Sequence, residues 1–434
     1  MKRNAHVRMV VTLLVILAIS RATLAQELVA TPAKPLGIYA PGEPIAWRLE
    51  LRGEGAAQAT EIHYVLKQNG QVVLREGALP LIDGKATLEA VLNGPGTILA
   101  ELKAKLPDKD VTGLAGAAVK PAGIAPSAPR PSDFDRFWEG KLAELHSVRA
   151  NPVVEAGDSG RPTVDYFKIR MDNIRGSHIY GQLAKPKGTG KLPALLIVQW
   201  AGVYPLQKDW VVWRAEAGWL TLNIMAHDLP FDKPEEFYQR GSATTLADYP
   251  EIGNDDREAS YFLRMYLSCY RAVEYLAHRP EWDGRTLVVM GGSQGGLQTI
   301  VTAALDPRIS AAIADVPAGC DLTGPQAGRA AAWPGWYWRT KGKDPDKVRQ
   351  TSRYFDAVNF ASRVKCPTLV GLGLVDTTCP ASGVFAMTNQ LQGPKEVVVI
   401  PDAGHSGPHD AFSTREQTWL DSIRQGAPPP VPGE

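Results

Sequence analysis

Thr286-Leu287-Val288-Val289-Met290 leads directly into Gly291-Gly292-Ser293-Gln294-Gly295-Gly296, so an apolar segment delivers a serine into a cluster of glycines. The pattern predicts a strand, a sharp turn and a helix, which together form a nucleophile elbow. The serine of such an elbow has a strained backbone, and the residues two positions before and after it must be small. The glycines at those positions meet that requirement. The next backbone N–H, that of Gln294, is then expected to point at a forming oxyanion.

The motif alone is weak evidence, because a chain with 41 glycines can contain it by chance. The sequence on either side of it is stronger evidence. Residues 297–305 predict a buried helix that Asp306 and Pro307 end. A glycine-rich turn without chemistry is the alternative interpretation. It is disfavoured once the downstream segments are counted.

Two later segments supply an acid and a base in the order that this type of elbow requires. The apolar run 367–374 predicts a buried strand, and Asp376 lies in the loop that follows it. Residues 396–400 predict another strand, and His405 lies in the loop after it. A neutral imidazole activates a serine hydroxyl, and a carboxylate fixes the tautomer of that imidazole. We therefore predict Ser293, Asp376 and His405 as catalytic residues.

Asp402 and His409 are the competing candidates in the same loops. Asp402 precedes His405 by three residues on one loop, which is a poor position from which to orient the ring. His409 lies in a segment rich in glycine and proline, and we expect a solvated loop residue there.

Five ordered segments resemble the acetyl xylan esterase and cephalosporin-C deacetylase family of α/β-hydrolases, carbohydrate esterase family seven. They are the GGSQGG elbow, a D-V-P segment, an S-R-Y-F-D-A-V-N-F-A-S-R segment, a G-L-V-D-T-T-C-P acid loop and a G-P-K-E strand start, at residues 291–296, 315–317, 352–363, 373–380 and 393–396. Residues 132–138 also resemble the opening helix of the family. The likeness spans roughly residues 126 to 425.

The resemblance implies an α/β-hydrolase fold with a mostly parallel, doubly wound sheet, and a cofactor-free serine esterase that acts on acetylated carbohydrates or small esters. It implies that the backbone N–H groups of Gln294 and Val203 hold the oxyanion. A ring-shaped homo-oligomer is also implied, although its retention beside an added N-terminal domain stays open. The R-G-Q-G motif of the family is replaced here by Met225-Ala226-His227-Asp228, and its glutamate after the histidine by Ser406.

A dense aromatic patch, A-A-W-P-G-W-Y-W-R, occupies residues 331–339. We predict substrate contacts from Trp333 and Trp336 of this patch and from Pro317 of the D-V-P segment, because aromatic faces stack on sugar rings or cover a small acyl pocket. Packing of an insertion onto the core is the alternative for the aromatic residues.

The chain start predicts a secretory signal peptide over residues 1–25, since basic residues precede an apolar run too short to span a bilayer. An uncleaved anchor is the alternative. We expect a secreted or periplasmic protein without a membrane segment after cleavage. Residues 26–119 predict a small immunoglobulin-like β-sandwich, 120–131 a proline-rich linker, 132–425 the α/β-hydrolase domain and 426–434 a disordered tail. Glycan binding, oligomer contacts and cover of a sheet edge stay open as roles of the sandwich.

Composition argues against several other classes. The chain has 47 Lys and Arg against 46 Asp and Glu, and loss of four basic residues with the signal peptide takes the formal charge from +1 to −3. Without a dense basic cluster we expect no nucleic-acid partner. The histidines and cysteines lack metal-site spacing, so we expect no metal. Any disulfide pairing of the four cysteines stays open: Cys269, Cys320, Cys366 and Cys379.

Three alternatives to a carbohydrate acetylesterase remain. A serine peptidase of the prolyl oligopeptidase type shares the elbow and the order of the triad, but the N-terminal region is too short for its usual β-propeller. A broad small-ester hydrolase would use the same residues. A glycan-binding protein on a hydrolase scaffold would have a silent site.

Overall fold

The structure is a computed structural model that describes residues 25–188 and 190–431. The predicted signal peptide thus lies outside the described residues, except for its last position. Across the described part of the chain, no helix combines the length and the apolar character needed to cross a bilayer.

The N-terminal part of the chain folds as two facing sheets. Its strands are β1 (Glu27–Pro32), β2 (Ile38–Tyr39), β3 (Ile45–Arg52), β4 (Glu61–Gln68), β5 (Val72–Pro80), β6 (Lys85–Ala90), β7 (Gly96–Lys105) and β8 (Asp110–Val119). One sheet has the order β1-β3-β6 and the other β2-β8-β7-β4-β5. β3 alternates buried and more exposed positions, and its inward Trp47 and Leu49 share one core with Ile62 and Ile98 of the second sheet. The assignment of this unit to the immunoglobulin type stays a prediction.

A nine-stranded sheet organises the rest of the chain. Its strands are β9 (Val153–Gly157), β10 (Val164–Asp172), β11 (His178–Pro186), β12 (Leu192–Val198), β13 (Leu220–Ile224), β14 (Trp282–Gly292), β15 (Ala311–Asp315), β16 (Thr368–Gly373) and β17 (Lys395–Ile400). Their order is β17-β16-β15-β14-β12-β13-β11-β10-β9, and the six strands from β17 to β13 in that order are parallel. This architecture confirms the predicted α/β class with a mostly parallel sheet.

Helices cover both faces of this sheet. They are α1 (Phe134–His146), α2 (Asp209–Glu216), α3 (Glu235–Ala243), α4 (Tyr261–Ala277), α5 (Gln294–Leu305), α6 (Pro345–Phe355), α7 (Ala357–Ala361), α8 (Ala381–Thr388) and α9 (Asp410–Arg424). The central strands are continuous apolar runs because parallel strands between helix layers are buried on both faces. α4 and α5 lie in one core with α1, whereas α9 packs in a separate core on the opposite face.

The two sheet systems meet close to the loop that carries Asp376. A Cβ added to Gly116 of β8 would stand 2.6 Å from both the Cβ and the carbonyl oxygen of Leu374, the residue after β16. The β4–β5 turn contacts the second unit as well, since the Asn69 carbonyl accepts from the N–H of Ala330 at 2.9 Å. The N-terminal unit therefore supports two segments of the second unit that lie next to predicted site residues.

The predicted linker is held against the second unit. The Asn389 amide donates to the carbonyls of Pro121 and Ile124 at 2.8 and 2.9 Å. The Ser127 hydroxyl donates to the Asp321 carboxylate at 2.6 Å. Extended proline-rich chain thus forms a fixed connection here rather than a free tether.

The start of the predicted disordered tail differs from expectation. The Pro430 carbonyl accepts from the Arg415 guanidinium at 2.9 Å, and Val431 packs against the core beneath α9. Composition favours disorder because proline and glycine bury little surface, yet these contacts hold residues 426–431 against α9. The last three residues lie outside the described chain.

The close approach at Gly116 gives a stability prediction. We expect Gly116→Ala to lower the free energy of unfolding by about 1–3 kcal/mol, because the methyl group meets backbone that must shift. Gly140→Ala on α1 is the matched control, since an added Cβ there meets nothing within 4 Å and alanine favours a helix. Urea unfolding of both variants measures the difference. Equal stability of the two variants would contradict a tight contact at Leu374.

Candidate active site

The turn from β14 to α5 has the geometry of a nucleophile elbow. Ser293 has φ 55° and ψ −120°, a conformation that L-residues rarely adopt, and α5 begins at the next residue. A Cβ added to Gly291 or to Gly295 would stand 2.8 or 2.7 Å from the carbonyl oxygen of Val198 in β12. Glycine is therefore required at both positions for the strand and helix to meet this closely.

A continuous hydrogen-bonded chain joins Ser293, His405 and Asp376. The distance from Ser293 Oγ to His405 Nε2 is 2.9 Å, and from His405 Nδ1 to Asp376 Oδ2 it is 2.8 Å. The second oxygen of Asp376 accepts from the N–H groups of Thr378 and Cys379, both at 2.8 Å. The Asp376 side chain is only 1% exposed. A carboxylate fixed in this way places the proton on Nδ1 and leaves Nε2 free to accept the serine proton.

The competing candidates occupy other positions. Asp402 is exposed. His409 is mostly buried, which corrects the expectation of a solvated residue: its Nδ1 lies 2.8 Å from Asp315 Oδ2 and its Nε2 lies 3.0 Å from the Gly404 carbonyl oxygen. The polar partners offered by β15 and the neighbouring loop explain why this ring leaves solvent. His409 thus binds the residue just before His405.

The ring of His409 faces two acceptors, and a doubly protonated imidazole satisfies both. Burial opposes the charged form, but the Gly404 carbonyl and the Asp315 carboxylate outweigh it and raise the pKa of His409. A positive charge is therefore favoured a few residues from His405 in sequence. In the sequence, His409 differed in no visible way from a surface histidine, because its partner is 94 residues away.

A second buried histidine holds the loop that follows β12. His227 Nε2 donates to the Gly202 carbonyl at 2.9 Å, and its Nδ1 accepts from the Tyr261 hydroxyl at 2.7 Å. Burial lowers the pKa of His227 to about 4, so the ring is neutral near pH 7. His227 belongs to the segment that replaces the R-G-Q-G motif. The sequence showed the replacement but not the contact it makes.

The predicted oxyanion residues lie at the two sides of the elbow. Gln294 is the first residue of α5, and its side-chain oxygen accepts from the Tyr249 hydroxyl at 2.5 Å. Val203 lies on the loop that His227 holds, where its side chain is partly buried against the core and Trp200 and Ala201 face the serine. Assignment of these two N–H groups to an oxyanion stays a prediction.

A cavity of about 410 Å³ opens above Ser293 and His405. Trp333 lines it, as do Trp200 and Thr378. Trp200 was not predicted, although its place directly after β12 beside the expected oxyanion loop was a usable signal.

Two predicted substrate contacts do not reach this cavity. Trp336 is 0% exposed and donates from Nε1 to the Pro250 carbonyl at 2.7 Å, so it belongs to the core, as the alternative interpretation held. Pro317 is buried beneath the elbow, where its Cα would stand 2.8 Å from a Cβ added to Gly296. The turn that follows β15 directs Pro317 at the helix start rather than at the cavity.

One group of three metal-ligand types lies together within the described residues: Asp376, Cys379 and His405. Hydrogen bonds already occupy both oxygens of Asp376 and both ring nitrogens of His405. Burial raises the pKa of the Cys379 thiol well above its usual value, which disfavours the thiolate a metal needs. This donor set fits a proton relay better than a metal site. All four cysteines of the chain are free thiols, and they lie in the described region.

Comparisons with known proteins agree with this geometry. The family profile "Acetyl xylan esterase (AXE1)" matches residues 123–423. Acetyl esterase Axe7A of Xylanibacter ruminicola is 31% identical over 395 residues, which cover 88% of this chain and 87% of that protein. The structure of an acetyl xylan esterase from a Paenibacillus species is similar with a TM-score of 0.60 at 26% identity, covering 70% of this chain and 98% of that chain. Acetyl xylan esterase 1 from a Thermoanaerobacterium species shares the fold, with a TM-score of 0.61 at 24% identity over 70% of this chain and 97% of that chain.

The neutral state of His227 predicts acid sensitivity. Because its pKa falls from 6.5 to about 4 on folding, the unfolded chain binds more protons between these pH values, and stability decreases as pH falls through that window. The shift corresponds to about 3 kcal/mol. We expect the stability advantage of the wild type over His227→Gln to shrink by about that amount from pH 7 to pH 4. Urea unfolding across this range measures it, and a constant advantage would rule out a buried neutral ring.

His409 predicts the opposite dependence. A raised pKa gives stability that is complete below the unfolded value of about 6.5 and is lost as pH rises through the folded value. The advantage of the wild type over His409→Gln should therefore shrink from pH 6 to pH 9. The two histidine variants control for each other, because the same measurement must give slopes of opposite sign. Slopes of the same sign would show that one of the two environments is wrong.

Proposed function

This chain belongs to the acetyl xylan esterase family and is a carboxylic ester hydrolase, and from that premise we propose that it is a secreted serine esterase that removes acetyl groups from carbohydrate esters. The observation that carries the proposal is the unbroken chain of hydrogen bonds from Ser293 through His405 to Asp376 at the floor of an open cavity. Such a chain activates a hydroxyl for attack on a carbonyl carbon.

The first half of the proposed reaction forms an acetyl-enzyme. Ser293 Oγ bonds to the carbonyl carbon while its proton moves to His405 Nε2, and the carbonyl oxygen becomes an oxyanion. The N–H groups of Gln294 and Val203 stabilise that charge. When the intermediate collapses, the bond to the sugar oxygen breaks and His405 returns the proton to that oxygen. The deacetylated sugar leaves as a neutral alcohol.

The second half regenerates the serine. A water molecule takes the place of the sugar, loses a proton to His405 Nε2 and attacks the acetyl carbon. Collapse of the second tetrahedral intermediate breaks the bond to Ser293 Oγ, which recovers the proton from His405, and acetic acid departs and ionises to acetate in solution. Asp376 stabilises the imidazolium in both halves without giving up its own hydrogen bonds to backbone N–H groups.

Two observations support a small acyl group. Trp200 and Trp333 line the cavity above Ser293. The relative that covers most of the chain carries the name acetyl esterase. Large aromatic side chains beside a nucleophile leave room for a small acyl group.

We propose a structural role for the N-terminal unit in this reaction. Its contact at Leu374 lies two residues before Asp376. Its contact at Ala330 lies three residues before Trp333. Support of those two segments follows from these contacts directly. Glycan binding by the unit would require a further surface. The predicted signal peptide supports export to the periplasm or the cell exterior, where an acetylated carbohydrate would be met.

The test of the proposed function is acetate release from acetylated xylan, acetylated xylo-oligosaccharides and 4-nitrophenyl acetate. We expect Ser293→Ala to reduce kcat by about a million-fold, as when the nucleophile of a triad is removed. Ser242→Ala, at an exposed position of α3, is the matched control and should keep wild-type rates. A fluorophosphonate probe should label the wild type and not Ser293→Ala.

Three results would contradict the proposal. Serine-dependent hydrolysis confined to peptides or to long acyl esters would assign a different activity to the same residues. Hydrolysis of 4-nitrophenyl acetate without any release of acetate from sugars would show an esterase whose natural substrate is the ester of another alcohol. Labelling that persists in Ser293→Ala would place the nucleophile elsewhere.

A further inference from the structure

A second cavity, of about 570 Å³, lies between α2 and α9 and adjoins the one above Ser293. Both cavities are lined by Trp200, Gly292 and Asp315, so they meet at the elbow. The floor of the second cavity includes Met290 and Gly291, the end of the strand that delivers the serine. We call this cavity the α2–α9 cleft. A ligand in the cleft would extend directly from the reacting ester.

Three tryptophans line the cleft. Trp200 and Trp213 are 47% and 59% exposed, a large fraction for indole side chains. Trp200 is held rather than free, because its ring stacks on Tyr204 with centroids 5.1 Å apart and lies 5.0 Å from Trp210. Trp210 and Trp213 are one helical turn apart on α2, a rise of about 4.5 Å. Exposed aromatic side chains close together suit a ligand made of repeated rings that can stack on them.

The polar groups of the cleft favour a neutral ligand. Arg214 of α2 donates to Glu416 of α9 at 2.7 Å and to the Gln417 side chain at 3.3 Å. The pair cancels its own charge, so it offers hydrogen bonds to hydroxyl groups without attracting a charged polymer. The floor of the cleft is apolar, with Ile197, Ile313 and Phe412, but the cleft is open to solvent, whereas an acyl chain would require an enclosed pocket. Stacking faces with neutral hydrogen-bonding partners are the chemistry that recognises sugar rings.

We propose that the α2–α9 cleft binds the sugar rings of the substrate that lie beyond the acetylated ring. The inference rests on the proposed function and makes it more specific. The chain then acts on acetylated oligosaccharides or polysaccharides in preference to acetylated monosaccharides. Trp213, at the outer end of the cleft, contacts a ring remote from the ester and determines this preference.

The test is the kinetics of Trp213→Ala on substrates of different length. We expect kcat/KM for acetylated xylo-oligosaccharides of three or more rings to fall by about three- to tenfold through KM, the range expected for loss of one aromatic contact. Rates on acetylated xylose and on 4-nitrophenyl acetate should not change. Trp213→Phe should restore part of the loss. Trp338→Ala is the matched control, because Trp338 is 66% exposed and lies outside the cleft.

Equal losses on all substrates would overturn the proposal, since they would show a general structural effect. Unchanged kinetics on every oligosaccharide would overturn it as well. If Trp213→Ala dissociated an oligomer and left the oligosaccharide kinetics intact, a second copy of the chain would be the occupant of the cleft.

Direct binding separates this inference from the proposed function. Calorimetry with unacetylated xylohexaose uses Ser293→Ala and the double variant that adds Trp213→Ala, so no turnover is involved. Binding by the first variant and weaker binding by the second supports the cleft even if the natural ester is different. If xylohexaose does not bind to Ser293→Ala, the proposal that the cleft binds sugar rings is overturned. Release of acetate from sugars by the wild type would still support the proposed function.

Discussion

The carbonyl oxygen of Val198 leaves no room for a side chain at Gly291 or at Gly295, and this contact fixes how β12, β14 and α5 meet. Ser293 lies between the two glycines and must take a positive φ to connect the strand to the helix. Backbone hydrogen bonds on both sides hold it there: its N–H donates to the Asp315 carbonyl, and its carbonyl accepts from Ala318. β15 and the residues that follow it thus help to hold the strained turn. Every other part of the site is placed relative to this turn.

Three histidines near the turn differ because their surroundings differ. His405 bridges a carboxylate and a hydroxyl, which suits an imidazole that exchanges a proton. His409 faces two acceptors and favours the charged form, while His227 is buried beside a single carbonyl and favours the neutral form. The same residue type thus joins a hydroxyl to a carboxylate at His405 and fixes loops at the other two positions. His409 holds the loop before His405, and His227 holds the loop around Gly202.

Local patterns were sufficient to predict the elbow, the buried strands and the candidates Asp376 and His405, because each prediction depends only on residues that are close together in the sequence. β14 and α5 begin and end within about four residues of their predicted limits. The errors concern side chains whose environment depends on distant segments. His409 depends on β15, and Trp336 depends on Pro250, 86 positions earlier. No window of sequence contains such a pair, so the periodicity that predicts strands cannot predict these contacts.

The contact of Gly116 with Leu374 has a consequence for how this chain can change over generations. An accessory unit on a loose tether can be lost, exchanged or duplicated without cost to the chemistry of its neighbour. Here the β4–β5 turn and β8 lie against the segments that lead to Trp333 and Asp376. Substitutions at Gly116 or in the β4–β5 turn therefore act on the segments that lead to Asp376 and Trp333, and the two units constrain each other's sequence.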